Sequence, residues 1–437
     1  MELAMRDRVS NTSLRAATLL VVTQMACSTT RTPSLSPATC SASGYKLDVD
    51  SATRALRDSY AYLTDKAVNW PRAERLARQT ADTVHSKREL VGVLERLLDN
   101  LYDAHAIVRA NTMQSPRLVP SGVDLWAEWR ASKAMVTAVR PGFSAEEQGV
   151  RLGMEVVAIN GLSIAAAADA RVGSAVKRPA PPEARAWGLL SALAGRHDVR
   201  RLLRVRDVFG TVRDIELDMP GQRLVDTPEN EPVVEYRRIP AAEGNGADYG
   251  YIRINTLGNS RTVPAFDSAL AALRDAPGLL LDLRDTPQGG NTDVAEPILG
   301  RLIGKVEGYQ RVIPLHAATY TRTVSPRGPW TYTAPVVVLV SRWTGSMGEG
   351  MAIGLDGMHR ARVVGTAMAG LAGAVDDITL PCSGIGLAFP TARLAHVDGT
   401  PRERWVPPVL VDLAGEERGR DAVLERGIRE LRDWIGR

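Results

Sequence analysis

The stretch Ser341–Gly354, "SRWTGSMGEGMAIG", follows directly on the apolar run "APVVVLV" at 334–340. An unbroken, valine-rich apolar run of that length reads as a strand buried on both faces. The small residues after it read as a tight turn into a helix. Ser346 sits at that junction and has two readings. Ser346-x-x-Glu349 fits a helix capping box, which needs no chemistry and is common. A strand–turn–helix junction also exposes a serine hydroxyl, and the helix N-terminus adds unpaired N–H groups and partial positive charge that stabilise an oxyanion.

Working outward, the segment 223–437 alternates strand-like and helix-like runs. "YGYIRIN", "GLLLDLRD", "APVVVLVS" and "RARVVG" read as strands, and "TVPAFDSALAALRDA", "NTDVAEPILGRLIG" and the stretch from Met347 as helices. That alternation predicts an α/β core with a largely parallel sheet. In the tail, Leu424, Ile428, Leu431 and Ile435 share one face and predict a closing helix. Upstream, residues 45–115 read as helical, with Leu90, Leu94, Leu97, Leu98 and Leu101 at helical spacing. Residues 116–222 change character. "AMVTAVRPGFSAEEQGVRLGMEVVAINGLSI" alternates short strands with glycine turns, and the Ala- and Pro-rich stretch 165–196 reads as an insertion within this β-rich part.

Composition sets outer limits. The 437 residues are 44% hydrophobic and 24% charged, ordinary for a globular chain of two or three domains. The net charge of +4 is spread over interleaved acids, with no basic block that argues for nucleic acid. Cys27, Cys40 and Cys382 form no CxxC and no His-paired metal spacing, so neither a zinc site nor a disulfide framework is expected. No cofactor motif is present. Lysine occurs only at 46, 66, 87, 133, 177 and 305. Arg6, Arg8 and Arg15 precede "AATLLVVTQMA", too short for a mature membrane span and suited to an export signal over 1–27, followed by a Ser/Thr/Pro-rich tether over 28–44. The signal resembles the bacterial lipoprotein type, with Cys27 as the lipid-bearing residue and Gln24 where leucine is usual. Periplasmic or membrane-anchored envelope localisation is what that resemblance implies.

The motifs taken in order resemble the C-terminal processing peptidases, including their tricorn-like branch. "LLDNLYDAHAIV" resembles the family's Leu-x-Asp-x-His motif, "GLLLDLRDTPQGGNTDVAEPILGRLI" its Asp-Leu-Arg…Gly-Gly segment, and "SRWTGSMGEG" with "RARVVG" its Thr-x-Ser-x-x-Glu turn and Val-Val-Gly strand. The segment 116–222 resembles a PDZ domain of the bacterial protease type, which binds a peptide as an added strand. The resemblance implies a crotonase/Clp-like α/β protease core with an inserted PDZ-like domain and an N-terminal helical part, acting on peptides or unfolded protein with no metal or cofactor.

The same resemblance implies site residues. Ser346 is the nucleophile. One branch of the family activates its serine with a lysine, but that position is Leu371 here, and Lys305 reads as a solvated helix-end charge. The tricorn-like branch uses histidine, which carries over to His105; a serine precedes that histidine in the branch, where this chain has Ala104. Glu403, in "PRERWVPPV", is the nearest match to the branch's third, acidic residue, with the register off by about one. Asp103 is too close in sequence to reach the ring. The oxyanion hole is expected from Met347 N–H and from Gly289 or Gly290, in a segment one residue longer than usual. His396 and Asp398 read as a hairpin tip. Two rival readings stand beside the protease: an inactive relative that binds peptide or lipid in the envelope, and an acyl-CoA enzyme of the crotonase type.

Overall fold

The computed structural model describes residues 40–217, 232–240, 248–413 and 420–436. The expected export signal and Cys27 lie outside these residues. Helix α1 (Ala42–Ser59) begins inside the stretch expected to be a tether, because the Ser41 side chain accepts from Gly44 N–H and caps it. It packs with α2 (Trp70–Ala81) and α3 (Lys87–Leu98), each carrying its own N-cap side chain, Asn69 and Ser86. The predicted leucine face of α3 is buried, with Leu90, Leu94 and Leu97 in one apolar cluster with Leu387 and Phe389. A two-residue strand, β1 (Ile107–Val108), follows.

An antiparallel sheet occupies the next part. It is built from β2 (Leu125–Arg130), β3 (Lys133–Val139), β4 (Glu155–Ile159), β5 (Leu162–Ser163), β6 (Arg201–Arg206) and β7 (Val212–Leu217), in the order β2-β3-β4-β6-β7 with β5 on β4. A short helix α4 (Ser144–Glu147) lies in the β3–β4 connection. The Ala- and Pro-rich insertion is a helix pair, α5 (Ile164–Arg171) and α6 (Pro182–Ala194), whose Leu189 and Leu193 complete the sheet's own core. Inside that core Arg201 donates to both oxygens of Asp124, at 2.6 and 3.0 Å, with both side chains fully buried.

The remaining chain forms two sheets. Strands β8 (Val234–Ile239), β9 (Tyr249–Ile254), β10 (Leu279–Asp282), β13 (Val336–Val340), β14 (Ala361–Gly365) and β17 (Val409–Leu410) order as β17-β14-β13-β10-β9-β8, parallel except for the β8–β9 pair. The expected parallel sheet is therefore present. All five residues of β13 are buried, as the apolar run requires of a strand covered on both faces. Helices α7 (Thr262–Ala272), α8 (Thr292–Gly300) and α9 (Met347–Gly357) supply one side of the core. Helix α10 (Ala422–Ile435) packs Leu424, Ile428 and Leu431 against the other face, while Ile435, expected on that face, remains exposed.

The second sheet was not expected from the sequence. It contains β1, β11 (Glu307–Pro314), β12 (Tyr320–Val324), β15 (Ala374–Thr379) and β16 (Gly386–Ala395), all antiparallel. Through the β1–β16 pairing, with Ile107 opposite Ala388, it brings the segment after α3 to the α/β core.

A disulfide joins Cys40 and Cys382, which corrects the expectation of none. The two cysteines are 342 residues apart in sequence, and no local spacing motif announces such a pair. The fold makes it, by setting the start of α1 against the β15–β16 turn, where Asp48 accepts from the N–H groups of Cys382 and Ser383 at 2.8 Å each.

Candidate active site

Two loops leave the carboxyl ends of adjacent parallel strands, β10 and β13, the edge at which open α/β sheets assemble ligand sites. The loop after β13 carries Ser346. Thr344 fixes its start: its Oγ1 donates to Leu283 O and accepts from Ser341 N–H. Gly345 N–H donates to Thr286 O in the neighbouring loop. Ser346 itself has φ +49°, a left-handed conformation that costs a non-glycine residue energy and is held here by its surroundings. The Glu349 carboxylate accepts from Ser346 N–H at 2.8 Å, as the expected capping box has it, and also from Gly370 N–H at 2.8 Å and Leu371 N–H at 3.2 Å. Burial pushes the Glu349 carboxyl up to about 7, against Arg402 and the three N–H donors, which favour the charged form.

His105 lies in a turn after α3. Asp103 shapes that turn: one carboxylate oxygen accepts from His105 N–H at 2.9 Å and the other from Tyr60 O–H at 2.6 Å. Asp103 thus holds the backbone and not the ring. The His105 Nε2 is 3.0 Å from Ser346 Oγ, across 241 residues of sequence. Its Nδ1 is 2.7 Å from Ala372 O. A carbonyl cannot donate, so Nδ1 carries the hydrogen and Nε2 turns its lone pair to the serine. Burial, reinforced by the nearby charge of Arg402, pushes the His105 pKa down to about 4.

The expected third residue is not the hydrogen-bond partner of the ring. Among the described residues no hydrogen bond joins Glu403 to His105; the Nδ1 partner is a backbone carbonyl instead. Glu403 stands in a single 3-10 turn, Arg402–Arg404, with its charge near Tyr62 and Lys66. The side chain from that turn that reaches the site is its neighbour, Arg402. It is 3% exposed, and its Nη2 donates to Leu371 O at 2.9 Å and Gly373 O at 2.8 Å, the carbonyls on either side of Ala372.

The expected oxyanion donors fall unevenly. Met347 N–H opens α9, where helix geometry leaves it without an intrahelical acceptor. Gly289 packs directly against Ser346: a Cβ there would stand 2.4 Å from Ser346 Cβ and 2.7 Å from Met347 N, and its φ is +63°. Only glycine fits. Its N–H, however, donates to Thr286 O at 2.9 Å in a turn, so it is engaged elsewhere. Gly290 is pressed against the backbone of Leu257. Leu371 is buried near Gly345 in place of a basic group, and Lys305 is exposed beside Glu307, as a solvated charge should be. His396 and Asp398 form a hairpin tip, His396 N–H donating to Thr400 O.

The segment 248–408 matches the model of peptidase family S41. The chain carries a peptidase family S41 core. That core is a serine peptidase fold acting on peptide or protein, and it contains Ser346, Gly289, Gly290, Arg402 and Glu403 but not His105. No curated protein sequence matches the chain. Solved structures extend the likeness in fold beyond the S41 core. A photosystem II D1 C-terminal processing protease is 18% identical with a TM-score of 0.55, covering 89% of this chain and 97% of its own. Mature CPAF is 15% identical with a TM-score of 0.58, covering 90% and 96%. A putative peptidase from Parabacteroides merdae is 14% identical with a TM-score of 0.51, covering 89% and 96%. Among the described residues no helix is long and apolar enough to cross a membrane.

Of the residues that hold this site, the sequence reading missed Ala372 and Arg402. A carbonyl leaves no trace in sequence, and Arg402 in "PRER" looks like a surface charge. Glu349 was visible as a capping residue, without its second pair of donors.

Proposed function

We propose that the protein is an exported endopeptidase of the C-terminal processing type that hydrolyses peptide bonds through a Ser346–His105 acyl-enzyme. His105 Nε2 takes the Ser346 proton as Oγ attacks the scissile carbonyl. Met347 N–H and a glycine amide of the 289–290 turn receive the oxyanion. His105 then gives the proton to the leaving amine, and water attacks the ester by the reverse route. The observation that carries this reading is the 3.0 Å contact of His105 Nε2 with Ser346 Oγ, with the ring's other nitrogen already committed to a carbonyl. Glu403 is not assigned the acid's role.

Export is supported by the basic and apolar start of the chain and by the Cys40–Cys382 disulfide, which suits an oxidising compartment. Attachment of lipid at Cys27 is part of the same reading: Cys27→Ser is expected to lose a metabolic fatty-acid label and membrane retention together. The antiparallel sheet β2–β7 is assigned as a PDZ-like peptide-binding domain, spanning 116–222.

The test uses wild type, Ser346→Ala and His105→Ala on unfolded protein and C-terminal peptides, with a fluorophosphonate probe for the serine. Wild type is expected to cleave and to label at Ser346, and both variants to lose at least about a thousandfold in kcat, as loss of a triad member does. Equal turnover by all three overturns the mechanism, and a wild type that binds peptide without labelling identifies a binding protein instead.

A further inference from the structure

We infer that Arg402 is a positioning residue for the hydrolytic site: its buried guanidinium fixes the 371–373 backbone so that the Ala372 carbonyl holds His105 facing Ser346. This rests on the reading of Ser346 and His105 as nucleophile and base.

The usual partner of a catalytic imidazole is a carboxylate, which both orients the ring and neutralises the imidazolium. A carbonyl orients the ring but offers only a dipole. It also has to be held still, because a loop carbonyl that rotates away releases the ring. Arg402 supplies that restraint. Its Nη2 bridges Leu371 O and Gly373 O, so the carbonyls flanking Ala372 are pinned by one planar group. From the other side Glu349 accepts from Gly370 N–H and Leu371 N–H and also from Ser346 N–H. The loop that holds the base and the turn that holds the nucleophile are therefore joined through two buried side chains, a guanidinium and a carboxyl. Arg402 does not touch the reacting atoms.

This geometry differs in its consequences from a purely structural arginine. Removing Arg402 should loosen the His105 ring and also remove a positive charge that opposes its protonation. The other charged groups acting on the ring are Asp103 on its own turn and Arg109, with Glu349 beyond Arg402. Arg402→Met is expected to lower kcat per titrated active site about 100-fold, the scale of a misplaced catalytic group, with KM within about threefold. It should also move the acid limb of the pH–rate profile upward. Arg402→Lys keeps the charge with a single reaching group, and is expected to leave the limb in place and lose about tenfold in kcat.

The experiment measures per-site kcat by fluorophosphonate titration and pH–rate profiles for wild type, R402M and R402K. It adds the 15N-histidine spectrum of the wild type, with H105Q to assign the His105 signals. Protonation at Nδ1 near neutral pH is expected. A wild-type kcat and limb in R402M, a wild-type kcat in R402K, or a His105 protonated at Nε2 each overturns the inference. Should R402M not fold, R402K and the spectrum decide. If Ser346→Ala and His105→Ala are as active as wild type, the hydrolase reading falls, while the spectrum still judges the carbonyl tether on its own.

Discussion

At the scale of the residue, the imidazole is the most informative group. Its pKa is pushed down to about 4, so it is neutral and able to accept a proton through the whole neutral range. With His105 as the proposed base, activity is expected above that pKa and is expected to be lost as pH falls through it. The acid limb of kcat/KM for the free enzyme is thus expected well below the ordinary histidine value near 6.5, and a limb at 6.5 or above would contradict the environment described. Glu349 behaves in the opposite sense. Its carboxyl is raised from an ordinary 4.5 to about 7, so its contribution to stability is present below about 4.5 and lost as pH rises through 7. Glu349→Gln removes this dependence and puts an amide donor among N–H groups that need an acceptor. It is expected to cost about 1–3 kcal/mol in chemical denaturation at low pH, to lower kcat, and to flatten the stability profile between about pH 5 and 7.5. The 3.0 Å meeting of Ser346 and His105 was legible at this scale, because each sits in a motif with a chemical reason for its residue type. Glu403 was misleading, because an acid at nearly the right register says nothing about where its side chain points, and Arg402, one position earlier, is what reaches the site.

Elements were legible in proportion to how strongly their surroundings constrain them. The strand β13 and the helix α9 after it were readable because burial on both faces demands an unbroken apolar run. The sheet containing β11, β12, β15 and β16 was not, because strands such as β12 and β15 are largely exposed and mix charged with apolar residues. The helix pair α5–α6 read as an insertion since its alanines give little periodic contrast. Within the β2–β7 sheet, the buried Arg201–Asp124 pair joins the start of β6 to the segment before β2. Asp124→Asn leaves the guanidinium without its carboxylate and removes an acceptor of Ala145 N–H. It is expected to destabilise this sheet by about 3–5 kcal/mol, read by hydrogen exchange confined first to β2–β7. Exchange unchanged in those strands would show that the pair contributes little. The same sheet meets the α/β core at the site's two loops. Arg140, at the end of β3, donates to Asp285, which also accepts from Arg253, and Trp126 stacks edge-on with Trp343, three residues before Ser346.

At the scale of the whole molecule, the fold is organised to bring a turn after α3 to a turn before α9. The β1–β16 pairing sets the first of these against the core, and the Cys40–Cys382 bond anchors the helices that precede it. Cys382→Ser, or reduction of the wild type, is expected to lower stability by about 2–5 kcal/mol, measured by denaturant midpoint with and without reductant. An unchanged midpoint would show that the helices are held by packing alone. This contact was not legible, because two cysteines 342 residues apart share no local spacing motif and only the fold brings them together. The bond also bears on how the protein would look when it is cut. Residues 40 and 382 enclose the histidine, the β2–β7 sheet and the serine in a single covalent ring. A protease, or another copy of the enzyme, that severs one backbone bond anywhere within that ring releases no fragment. Such a nicked molecule would run at full mass until a thiol reagent is added, so maturation by internal cleavage would be seen only on a reducing gel.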